Sequence, residues 1–139
     1  GVCALPAGHA LAARERIVAA DLRGERLILP SYADDTRASV DRVLRQAQAD
    51  QVPAIETPYG ATICALVARG LGVGVVNPLA IAGTDPARIV FRPFAPEILF
   101  RGFTVCPRWQ QEKPIVQVFL AMAQARMAKI RAAIASGSS

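Results

Sequence analysis

The sequence predicts an α/β fold with a largely parallel sheet. Short apolar runs ending in Pro or Gly alternate along the chain with segments whose apolar residues recur at helical spacing. Two of these runs lead through a polar loop directly into a helix, the order of a parallel β–α unit. The apolar fraction is 53% and the charged fraction 19% over 139 residues, which suits one packed domain rather than a disordered chain.

The elements follow in order. VCALP (2–6) is a short apolar strand closed by Pro6 and Gly8. GHALAARERIVAADLRG is a loop with one or two helical turns, the last beginning at Asp21 and Leu22 and closed by Gly24. RLILPS (26–31) is a buried strand. In the next segment Val40, Val43, Leu44 and Ala47 make one buried helix face, with Asp34 or Asp35 as N-cap. Arg37, Asp41, Arg42 and Arg45 fall largely on its other faces. VPAIET (52–57) is a strand ended by Pro58. YGATICALVARG is a helix with Ile63, Leu66 and Val67 at core spacing and Gly70 as its stop.

LGVGVVN (71–77) is then a buried strand, and PLAIAGTDPAR a short turn and loop. IVFRPF (89–94) and the longer ILFRGFTVCP (98–107) complete the strands. A final helix spans 112–135, with Pro114 in its first turn. Ile115, Val118, Phe119, Met122, Arg126 and Ile130 form a mostly apolar stripe on it, and SGSS is a frayed tail.

The alternating glycines of ARGLGVGVVNP raise the question of a nucleotide loop. Such a loop runs strand, glycines, helix, so that phosphate meets a helix N-terminus. Here the order is helix, glycines, strand. Gly70 is read as a left-handed helix stop, and Gly72 and Gly74 as places of close backbone packing.

Ligands of a parallel sheet sit beyond the carboxyl ends of its strands. That rule selects two loops, which neighbouring strands would bring into one crevice. SYADDTR offers the hydroxyls of Ser31, Tyr32 and Thr36, the carboxylates of Asp34 and Asp35, and the Arg37 guanidinium, suited to a bidentate pair with an anion. TPYGAT offers Thr57, Tyr59 and Thr62, with Gly60 permitting close backbone approach. The plainer alternatives are an Asp-capped helix with a surface Arg, and a bare turn.

Other chemistry is thin. The net charge is +5, but Arg14, Arg16, Arg23, Arg26, Arg42, Arg45 and Arg69 are scattered, as on a solvated surface rather than a nucleic-acid face. Cys3, Cys64 and Cys106 sit in apolar stretches and read as buried, reduced core residues. His9, the one histidine, reads as a turn residue. We find no catalytic elbow, paired-carboxylate motif or metal spacing, so neither catalysis nor a cofactor is expected. No apolar run approaches the roughly 18 residues of a membrane helix. The start lacks a basic leader. The expectation is a soluble, cytoplasmic chain without membrane contact.

VCALPAGHALAARERIVAADLRGERLILPS resembles the middle of the effector-binding domain of LysR-type transcriptional regulators. The marks are Pro6, the segment Gly8-His9-Ala10-Leu11-Ala12, and Asp21-Leu22. LVARGLGVGVVNP (66–78) is similar to the same family's late helix, Gly-x-Gly and strand. The resemblance implies a type 2 periplasmic-binding-protein-like fold, two α/β lobes with a small-molecule effector between them.

On that reading residues 7–97 are lobe two and 1–6 and 98–104 are hinge strands. Residues 105–135 belong to the end of lobe one, and 136–139 are a disordered tail. The rest of lobe one and a winged helix-turn-helix, through which DNA would be bound, lie outside the chain. Effector contacts are implied at 31–36, at 57–62 and at the hinge near Ile98, and the whole protein as a homo-oligomer. The loop chemistry suits a small polar ligand with a carboxylate, an amino acid or an amino-acid conjugate, and TPYGATICALVARGLGVGVVNP resembles the branch of the family that senses opine-type or basic amino-acid ligands. A solute-binding protein of the same fold, or an enzyme lobe, are the competing readings.

Overall fold

The structure is a computed structural model describing residues 1–32, 34, 36–100, 103–107, 109 and 113–135. The strands are β1 (Val2–Pro6), β2 (Ile17–Val18), β3 (Leu27–Pro30), β4 (Ile55–Thr57), β5 (Val73–Val76) and β6 (Ile89–Ala95). The helices are α1 (Arg37–Gln46), α2 (Gly60–Val67) and α3 (Pro114–Ala135), with single 3-10 turns at Ala10–Ala13, Ala19–Leu22 and Pro78–Ile81. One six-stranded sheet runs in the order β2-β6-β1-β5-β3-β4. Five strands share a direction, and β1 runs against its neighbours β5 and β6.

The apolar runs sort onto two faces by strand alternation. Cys3, Leu5, Leu27, Leu29, Val73 and Val75 meet Val40 and Leu44 of α1 on one face. Val2, Ala4, Ile28 and Val76 meet Ile63, Cys64 and Val67 of α2 on the other. Runs that read as continuously apolar are thus buried on both sides, as a sheet between helix layers requires.

The glycine-rich segment behaves as its order implies. Gly70 has φ +74°, and its N–H donates to the Val67 carbonyl at 2.8 Å. A Cβ on Gly72 would lie 2.3 Å from the Arg26 carbonyl oxygen. One on Gly74 would lie 2.6 Å from Ile63 Cγ2. These two positions let α2 and β3 close against β5.

Several expectations need correction. Arg37 does not face away from the core: it is buried, at 2% exposure. Its position is set by acceptors on three elements, described below. Residues 98–100 and 103–107 form no strand; residues 101–102 are outside the described set. Both edges of β6 are already taken by β1 and β2, so the sheet offers a following strand no adjacent edge. Strand β2, too short to show alternation, escaped the sequence pattern. The first described residue of the last helix is Pro114, while residues 112 and 136–139 lie outside the described set. Its apolar stripe is exposed, with Ile115, Val118, Phe119 and Met122 all more than half accessible.

Gly72→Ala should destabilise the chain by about 3 kcal/mol, because a backbone carbonyl cannot move aside as a side chain can. Gly8→Ala, with nothing within 4 Å of an added Cβ, should stay within about 0.5 kcal/mol. Urea denaturation of both variants checks the contrast, and equal effects would contradict the packing described.

Candidate functional site

Adjacent parallel strands β3 and β4 feed helices that cover opposite faces of the sheet. Their carboxyl ends therefore diverge, one loop turning up and the other down, which leaves a crevice at a topological switch point. The two candidate loops flank it. They are tied at their base, where the Ser31 N–H donates to the Thr57 carbonyl at 3.2 Å.

The first loop is built by Asp34. Its carboxylate accepts the Thr36 N–H at 2.8 Å and the Thr36 hydroxyl. Thr36 occupies the N-cap of α1 but makes no side-chain cap bond of its own. The N-cap is therefore not Asp34, one of the two residues expected there: the Asp34 carboxylate holds the Thr36 N–H two residues on and caps no first-turn N–H; Asp35 lies outside the described residues. Ser31 and Thr36 are half-buried, and the Tyr32 ring is 75% exposed.

The second loop opens α2. Tyr59 stands at the N-cap with an extended backbone and no side-chain cap bond. Its carbonyl accepts the N–H groups of Thr62 and Ile63, at 3.0 and 3.1 Å. Its own N–H reaches Thr57 Oγ1 at 3.4 Å. Tyr59 is 69% exposed and Thr62 is exposed, while Thr57 and Gly60 are half-buried. A Cβ on Gly60 would stand 3.2 Å from Ala80 Cβ, so the missing side chain makes room for the turn after β5.

Arg37 joins the two loops from beneath. Its Nε donates to Asp41 at 2.7 Å and its Nη1 to the Pro30 carbonyl at 2.5 Å. Its Nη2 pairs with Glu56 of β4 at 2.9 Å. The guanidinium carbon lies 4.2 Å from the Tyr32 ring centroid. Burial works against the charge, but the hydrogen bonds it donates to Asp41 and Glu56, and their negative charges, outweigh it and raise the guanidinium pKa above its ordinary value. All three kinds of guanidinium nitrogen are engaged inside the protein. Asp41, four residues on, was a readable partner; Glu56 carried no sequence signal, because only the fold sets β4 against α1.

Ile98 lies on the same edge of the sheet. Because β1 is antiparallel, its beginning meets the carboxyl ends of β5 and β6, and Val2 pairs with Val76 and with Pro93. Ile98 is buried, and its carbonyl accepts the Gly1 amino group at 2.6 Å. An open cavity of about 630 Å³ lies between α1 and the chain after β6, with Thr36, Arg42, Val43, Glu97, Ile98 and Leu99 among its walls. Thr36 and Ile98 were singled out from the sequence; Arg42, Glu97 and Leu99 were not. Nothing in their spacing shows that chain beyond β6 passes beside α1.

No group of three His, Cys, Asp or Glu that could hold a metal occurs among the described residues. His9 is a turn residue as read: Nδ1 accepts the Leu11 N–H at 3.3 Å, and Nε2 lies 3.3 Å from Glu25.

Residues 1–128 match the family described as the LysR substrate binding domain. The chain belongs to that family. Over 129 residues it is 32% identical to the transcriptional activator protein LysR of Escherichia coli (strain K12), covering 93% of this chain and 42% of that protein. It is 32% identical over 120 residues to the regulatory protein NocR of Agrobacterium tumefaciens (strain T37), covering 86% and 40%. The chain thus spans about two fifths of the length of these curated relatives. Among solved structures it is similar to the reduced OxyR regulatory domain from Pseudomonas aeruginosa. That match has a TM-score of 0.57 and 30% identity, over 68% of this chain and 46% of that one. The Synechocystis PCC6803 CcmR regulatory domain, solved in complex with 2-PG, has a TM-score of 0.62 at 18% identity. It covers 89% of this chain and 61% of that one, and shows the shared fold. This LysR-family domain has the type 2 periplasmic-binding-protein-like fold.

Its buried thiols should be inert. Burial, with Glu25 and Asp21 nearby, pushes the Cys3 pKa far up. Burial pushes Cys64 up to about 11, against a small opposing backbone hydrogen bond. Both values exceed the ordinary 9.0. The stabilisation is therefore fully present below pH 9.0 and is lost as the pH rises through the folded values. At pH 8 iodoacetamide should label neither residue in the folded protein and both in guanidinium. Labelling of Cys64 in the folded protein at the rate of a free thiol would contradict this burial.

Proposed function

We propose that this effector-binding domain senses a small polar ligand with a carboxylate, an amino acid or an opine, in the crevice between β3 and β4. The observation that carries the reading is the switch point. Two loops diverge from adjacent strand ends and offer the hydroxyls of Ser31, Thr36, Thr57 and Thr62 and two exposed tyrosine rings. The start of α2, with no side-chain cap, adds backbone N–H groups in a positive helix-end field.

The anion is met by these N–H groups and hydroxyls. Arg37 stays with its internal partners. Tyr32, Tyr59 and Gly60 shape the walls, and Ile98 closes the hinge side. Asp35 remains a candidate for an ammonium group.

In the whole regulator, residues 7–97 form lobe two, 1–6 and 98–104 cross between lobes, and 105–135 finish lobe one. The exposed stripe of α3 packs against the rest of lobe one, and the segment 98–104 pairs with a strand there. DNA is bound through a helix-turn-helix outside this chain, in a cytoplasmic homo-oligomer. The regulator is favoured over a solute-binding protein because the curated relatives include a transcriptional activator protein and a regulatory protein.

Calorimetric titration of the full-length regulator with a panel of amino acids and opines tests the reading. At least one compound should bind, and Thr62→Val should weaken it by about 1 kcal/mol, roughly fivefold. Silence across the panel, or a Thr62→Val variant that binds equally well, would overturn it.

A further inference from the structure

We propose that Arg37 is a positioning residue that couples the two loops of the crevice and sets the place of the Tyr32 ring. The inference rests on the effector-site reading above, but its test needs no ligand.

The geometry is that of a junction. One guanidinium takes acceptors from three separate elements: the Pro30 carbonyl at the end of β3, Asp41 on α1 and Glu56 on β4. Its contact with the Tyr32 ring, 4.2 Å to the centroid, adds the loop between β3 and α1. Those donors lie along the guanidinium edge, so the flat π face remains for the ring.

Tyr32 is three-quarters exposed. A ring so exposed has little packing to fix it. The guanidinium face therefore dominates its placement. Glu56 immediately precedes Thr57, where the second loop begins, and is the half-exposed member of the network. A displacement of the β4 end moves Glu56, tilts the guanidinium plane and so moves the Tyr32 wall opposite. The same path runs in reverse when Tyr32 is displaced. An exposed arginine could not do this, since solvent would take up the slack. The guanidinium here is 2% exposed and must keep its partners.

The chain has two tyrosines, Tyr32 and Tyr59. In the full-length regulator labelled with 3-fluorotyrosine, the ¹⁹F NMR resonance of Tyr32 is assigned by Tyr32→Phe. Arg37→Lys, Asp41→Asn and Glu56→Gln should each move the Tyr32 resonance. The double variant Arg37→Lys/Glu56→Gln should move it no further than Arg37→Lys alone, because Glu56 acts through the guanidinium. Ile89→Ala, a core truncation on β6, which pairs with neither β3 nor β4, should lower the denaturation midpoint and leave the Tyr32 resonance in place.

Should Arg37→Lys fail to fold, Asp41→Asn and Glu56→Gln, both on partly exposed side chains, still decide the matter. A Tyr32 resonance unmoved by both, or shifts of Arg37→Lys and Glu56→Gln that simply add, would overturn the proposal. Neither result depends on which compound binds, so this test and the titration above fail separately.

Discussion

Everything around the crevice depends on one topological constraint. Strands β3 and β4 lie side by side and point the same way, yet their helices cover opposite faces of the sheet. The chain after β3 turns to one side and the chain after β4 to the other. At the start of α2 no side chain caps the helix, whereas at the start of α1 Asp34 takes the Thr36 and Arg37 N–H groups. The Tyr32 and Tyr59 rings and Thr62 are exposed at this divergence.

The buried arginine is the energetic counterpart of that divergence. Separating two strand ends weakens the contacts between them, and a single backbone bond from Ser31 to Thr57 spans the base. Arg37 restores the link with charge-assisted hydrogen bonds across β3, α1 and β4. Desolvation makes the arrangement all-or-none: a buried guanidinium with one acceptor lost costs far more than a surface ion pair contributes. The same residue is therefore a structural bolt beneath both loops. It does not serve as the free anion clamp that its place in SYADDTR suggests.

Most of the fold was legible in the sequence. The positions of β1, β3, α1, α2 and β5 follow from apolar periodicity and from Pro and Gly boundaries. The reading of Gly70, Gly72 and Gly74 followed from the order helix, glycines, strand. The two loops were legible because a parallel sheet presents its carboxyl ends to ligands. What escaped was tertiary. Arg37 looked exposed because helical periodicity counts apolar residues, and a charged residue is buried only where partners from elsewhere in the chain meet it. Segment 98–107 looked like a strand because its composition is strand-like, but a strand also needs a neighbouring edge. The apolar stripe of α3 has the right spacing for a core and is exposed within this chain, so spacing alone did not say what covers it.

A crystal structure of the full-length regulator with a bound amino acid or opine would test the central claim most directly. The account predicts the ligand at the divergence of β3 and β4, its carboxylate within hydrogen-bond distance of the Gly60 and Ala61 N–H groups and the Tyr32 ring against it. A ligand seated instead beside Arg42 and Leu99 along α1, away from both loops, would contradict it.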